Sequence, residues 1–153
     1  MKRQLLSAIM LVGFIVAATA AVEAQGVRRM VVNVPFDFVV GKRTLPAGTY
    51  TFKQLTRDND KPLLMQSADK RTTQVVLTSP VEKAATSDTA AQLDFRRYGD
   101  KYFLARVWSG GQTTGRELPK SQLERVTIRE LARGTARPET AQPQTVSVKG
   151  RIE

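Results

Sequence analysis

The chain has 153 residues, 24 of them Lys or Arg against 14 Asp or Glu, for a formal net charge of +10, and it contains neither histidine nor cysteine. That composition removes the commonest general base, the thiol nucleophile, the usual zinc and copper ligands and any disulfide staple. The length supports one domain with its own core, and the positive balance favours anionic partners or simply keeps the chain soluble.

The chain opens MKRQLLSAIMLVGFIVAATAAVEAQ. Lys2 and Arg3 form a positive start, Leu5 to Ala18 an apolar run, and Val22-Glu23-Ala24 a small-x-small cleavage pattern. The run is short for a membrane span, so residues 1–24 are expected to be a cleaved export signal, with an uncleaved anchor as the alternative. After cleavage no transmembrane segment is expected, and the protein is expected to be periplasmic or secreted.

From Met30 the alternation of Val32, Val34, Phe36 and Phe38 predicts a strand, with Pro35 placing an edge or a bulge within it. Gly41-Lys42-Arg43 and Leu45-Pro46-Ala47-Gly48 predict turns, and Tyr50, Phe52 and Leu55 mark a second strand. A polar turn over Arg57–Pro62 precedes LLMQS, a third strand, and Ala68-Asp69-Lys70-Arg71 leads into TTQVVLTS, a fourth, stopped by Pro80. Val81 to Ala91 reads as a surface loop.

The run LDFRRYGDKYFLARVW, Leu93 to Trp108, predicts a hairpin. A three-residue loop, Gly99 to Lys101, sets Tyr98 opposite Tyr102 and Asp94 opposite Arg106, whereas a two-residue loop forfeits both contacts. The longer loop places Leu93, Phe95, Phe103, Ala105 and Val107 on the core side. Asp94, Arg96, Tyr98, Tyr102, Leu104, Arg106 and Trp108 then share the other face. Flat rings among guanidinium groups can stack on sugars while binding anions, which makes Arg96, Tyr102, Arg106 and Trp108 the candidate ligand-binding set. In the competing arrangement a helix or strand covers Leu104 and Trp108 and arginine stems pack over the rings. Covering is favoured, because aromatic cross-strand pairs stabilise any sheet.

Ser109 to Gly115 reads as a flexible loop. Ser121-Gln122-Leu123-Glu124 matches a capping box, so a helix is expected over 122–133 with Gly134 as its stop. Arg125, Arg129, Arg133 and Arg137 recur every fourth residue, and the first three share a helix face, either a solvated surface or one that lies on an anionic membrane or polymer. Beyond Gly134 the composition turns to proline, threonine and glutamine and predicts a disordered tail, with a closing strand through the alternating Val146, Val148 and Ile152 as the alternative. The fold class expected is mainly β, an antiparallel β-sandwich or small barrel with one short C-terminal helix. The domain spans 25–133, and the tail 134–153.

Motifs for chemistry fail their own tests. Gly110 and Gly115 have the spacing of a phosphate loop, but Arg116-Glu117 stands where Lys-Ser/Thr is required. Asp58-Asn59-Asp60 starts like a calcium loop but lacks the glycine and closing glutamate. No two acids form an evident catalytic pair, so neither metal nor cofactor is expected.

The combination VNVPFDFVVGKRTLPAGTY, DFRRYGDKYFLARVW and GRELPKSQLER resembles a family of small exported bacterial proteins, over about Val32 to Leu131. The resemblance implies export and brings no activity to any residue. The function expected is therefore a non-enzymatic β-domain that binds or scaffolds at the cell envelope, with an anionic polysaccharide or other envelope component as partner. No specific nucleic acid is expected. The alternatives are a carboxylate-dependent hydrolase of polysaccharide and a purely structural envelope protein.

Overall fold

The computed structural model describes residues 29–55, 62–83, 89–134 and 142–153. The expected export signal over 1–24, the Asp58-Asn59-Asp60 turn and Arg137 lie outside the described residues. Within these residues eleven strands and one helix follow in chain order. They are β1 (Arg29–Val34), β2 (Phe38–Val40), β3 (Arg43–Leu45), β4 (Gly48–Gln54), β5 (Leu63–Ser67), β6 (Thr73–Val76), β7 (Ser79–Glu82), β8 (Ala91–Tyr98), β9 (Lys101–Trp108), β10 (Thr114–Glu117), α1 (Gln122–Gly134) and β11 (Gln144–Ile152). The protein is mainly β. Its strands form one curled open sheet in the order β3-β2-β9-β8-β11-β1-β4-β5-β6, with β10 joining β9 to β7. Every pairing is antiparallel except that of β2 with β9, at Val39 and Phe103.

Period-two alternation explains the inner face. Met30, Val32 and Val34 of β1 point inward and pair with Phe52, Tyr50 and Gly48 of β4. Phe52 in turn lies opposite Met65 of β5, and Leu63 opposite Val76 of β6. The curl brings β6 back to β2, where Gln74 donates Nε2–H to the Val40 carbonyl at 3.3 Å. A side-chain bond thus stands where a ladder would close a barrel.

Three sequence motifs meet in this core. Pro35, which has no N–H to donate, ends β1, so the strand expected through residue 38 is two strands with a corner between them. Asp37 at that corner accepts the Ala47 N–H at 2.8 Å, and Tyr50 donates to the Pro46 carbonyl at 2.7 Å, fixing the LPAGTY turn from both sides. Phe36 stacks on Tyr102 with ring centres 3.9 Å apart, and Phe38 meets Tyr50 and Phe95 edge-on. Such pairs contribute about 0.5–1.5 kcal/mol each beyond the area they bury.

Several expectations are corrected. β6 ends at Val76, and Pro80, expected to stop that strand, lies inside β7. β7 pairs only with β10, and an edge position tolerates a missing donor. β7 also takes Val81 and Glu82 from the expected loop, and Ala91 is the buried first residue of β8.

The hairpin of β8 and β9 turns through two residues, with Tyr98 opposite Lys101 and Gly99 in the left-handed region at φ +61. The expected three-residue loop is therefore wrong. The pairing of Asp94 with Arg106 nevertheless forms, because the register shifts between Asp94 and Phe95 and leaves Ala105 as the extra residue of a bulge. A one-residue slip at the turn exchanges the faces. Tyr102 and Leu104 lie with Phe95 on the core side, while Phe103 lies with Tyr98 on the other.

The largest correction concerns the tail. Residues 144–152 form β11, which pairs with β8 from Gln144 to Gly150 and with β1 at Arg151 and Ile152. It is the strand that joins the two halves of the sheet. Val146 and Val148 face the core from it.

Candidate functional site

The four hairpin residues expected to share one binding face have separate environments. Tyr102 belongs to the core side, on Phe36, with Arg97 over its ring at 5.4 Å. Arg106 is half exposed and pairs with Glu117 at 3.2 Å. Arg96 reaches toward α1, and Trp108 is 4% exposed.

Trp108 is buried by named neighbours. Its Nε1–H donates to Asp94 Oδ2 at 2.7 Å, and Lys83 Nζ sits 4.7 Å above the ring. Gly115 lies against the indole so closely that a methyl group there would overlap it. Packing, not phosphate, explains that glycine. Asp94 also accepts bonds from Gln92 at 2.6 Å and from Ser147 of β11 at 2.7 Å. A buried carboxylate with three donors is satisfied, and it ties β8, β9 and β11 together.

A second buried acid positions the helix. Glu124 begins α1 as the capping box requires, its N–H donating to Ser121 Oγ at 3.1 Å. Its carboxylate, expected to cap Ser121 in return, instead points into the sheet and is 1% exposed. There Tyr98 donates to Oε1 at 3.1 Å and Arg96 to Oε2 at 3.2 Å, with Arg96 Nε 2.7 Å from Oε1. Arg96 also bonds the Leu118 carbonyl at 3.2 Å, just before the helix. Removing one partner of such a buried pair leaves the other charge uncompensated, which costs far more than an exposed pair contributes. Glu124 and Tyr98 are buried and Arg96 is mostly so, and every contact of the network ties α1 and its lead-in to the sheet.

Burial, the Glu124 charge and the bond to it push the Tyr98 phenol up to about 12 from its ordinary 10.0, against a smaller opposing effect of Arg96. The stability that this raised value contributes is complete below pH 10 and is lost as pH rises toward 12, because the unfolded phenol ionises first. Unfolding midpoints in guanidinium at pH 9 and pH 11 should therefore fall more steeply for the wild type than for Tyr98→Phe. Parallel slopes would show that Tyr98 does not carry this dependence.

With α1 held from inside, its outer face presents Arg125, Arg129 and Arg133, all exposed. Beside them lies a groove of about 510 Å³ lined by Pro119, Lys120, Gln122, Arg125, Val126 and Arg129. No acid lines it. Lys120 and the three arginines pair with no carboxylate among the described residues, unlike Arg96, Arg106 and Arg151. A second basin, of about 360 Å³, gathers Arg29, Lys53 and Lys70 but includes Glu153.

The arginine spacing was legible in the sequence; the anchoring role of Glu124 was not, since local capping already accounted for it. Among the described residues no cluster of three or more acids is arranged to hold a metal, and no helix is long and apolar enough to cross a membrane. No family model, curated protein or solved structure matches the chain.

Proposed function

We propose that this chain is a non-enzymatic, exported β-domain that binds an anionic component of the cell envelope through the outer face of α1. One observation carries the reading: Lys120, Arg125 and Arg129 line an acid-free groove on a helix anchored from within. Arginine forks bind carboxylates and phosphates bidentately, and a helix fixed in place presents them together. The motifs VPFDF, LPAGTY and RYGDKYFL support export by resemblance, as does the apolar start of the sequence. The buried acids support a binding role over hydrolysis, because Asp94 and Glu124 spend their oxygens on structural donors.

The test is calorimetric titration with heparin as a soluble polyanion at low and physiological salt. Binding should weaken as salt rises, since exposed charges are screened beyond about 10 Å at 0.1 M. Arg125→Gln/Arg129→Gln should lose most of it with an unchanged melting temperature. Equal binding by the double variant would remove α1 from the account, and turnover of a glycan that a single acid substitution abolishes would replace binding with catalysis.

A further inference from the structure

The side of α1 that meets the domain carries buried Glu124 and Thr127 with partly buried Ile128 and Leu131, and part of the helix's apolar surface faces water. Glu124 and Thr127 are buried, whereas Leu123 is 44% exposed and Val126 40% exposed. No residue of α1 belongs to the hydrophobic core. A surface helix usually turns its whole apolar stripe inward, and α1 leaves Leu123 and Val126 outside. Val126 lines the groove together with Arg125 and Arg129, so cations and an apolar group share one exposed surface. Leu123, one turn before Val126, and Glu130, one turn after it, are also exposed on that side.

From this we infer that the anionic partner is a lipid bilayer, on which α1 lies in the plane of the headgroups; the inference rests on the anion-binding reading above. A helix with arginines beside exposed aliphatic side chains has the makeup of an interfacial segment. Arg125, Arg129, Arg133 and Lys120 reach lipid phosphates, and Leu123 and Val126 enter the boundary with the acyl chains. A hydrated polysaccharide would satisfy the arginines and leave both aliphatic side chains in water. The Glu124 anchor fits this geometry, because it holds the helix from its inner side and leaves the mixed face outward.

Flotation of the purified protein with vesicles of phosphatidylglycerol and phosphatidylcholine, and with phosphatidylcholine alone, tests the inference alongside heparin binding. The mixed vesicles should bind and the neutral ones should not. Arg125→Gln/Arg129→Gln should weaken vesicle binding about thirty-fold, at roughly fivefold for each basic residue near an anionic surface. Leu123→Ser/Val126→Ser should weaken vesicle binding on the order of tenfold while leaving heparin binding intact. Both positions are exposed, and an unchanged melting temperature confirms that each variant folds. Arginine-dependent heparin binding without vesicle binding, or vesicle binding indifferent to Leu123→Ser/Val126→Ser, overturns the bilayer and keeps the anion site. Failure to bind either polyanion overturns both.

Discussion

A chain ending at Gly134 is expected to show no cooperative unfolding transition. β11 lies between β8 and β1 in the sheet, pairing with seven residues of one and two of the other. Its loss opens two strand edges at the middle of the sheet rather than at its rim. It also uncovers the core where Val146 and Val148 pack, and removes Ser147 from Asp94. A domain whose whole stability is about 5–15 kcal/mol does not survive a loss on that scale. Circular dichroism through a thermal scan is the check. A synthetic peptide spanning 142–153 should restore the transition in trans, as donated strands do elsewhere. A truncated chain with the wild-type midpoint would mean that β11 is only laid on the sheet.

Trp108→Ala is expected to cost about 3–5 kcal/mol, the range for emptying a large buried aromatic site. The ring is enclosed by Gly115 and Lys83, and its N–H is one of three donors to buried Asp94. Substitution removes the packing and weakens a carboxylate that ties three strands together. Trp108→Phe keeps most of the volume and loses the hydrogen bond, so it should cost about 1–2 kcal/mol. Guanidinium unfolding of the three proteins gives both figures. A Trp108→Ala midpoint equal to that of the wild type would mean an exposed ring, and would return the hairpin face as a ligand platform.

The sequence reading succeeded where the signal was local and failed where strands from distant parts of the chain decided the matter. The inward alternation of Met30, Val32 and Val34, the LPAGTY turn and the Ser121 cap each carry their own physical reason within a few residues. The hairpin was legible, but its faces were not. The bulge at Ala105 has no sequence marker, and a slip of one residue at Gly99 moves Tyr102 and Leu104 to the opposite side. β11 ranked second to disorder, despite the alternation of Val146, Val148 and Ile152, because Pro143, threonine and glutamine dominate its surroundings and only Val146 and Val148 face the core. Its order comes from β8 and β1, not from its own composition. Glu124 illustrates the same limit, since its partners Arg96 and Tyr98 lie 28 and 26 residues away in sequence.

Mapping the binding surface tests the central claim most directly. Backbone amide chemical shifts of the isotope-labelled protein, followed through a titration with a short heparin oligosaccharide, locate the contact residue by residue. The account predicts perturbations concentrated from Lys120 to Arg133 and fading at high salt, with the amides of Tyr102 and Trp108 unmoved. Perturbations centred on β8 and β9, or none at all, would contradict it.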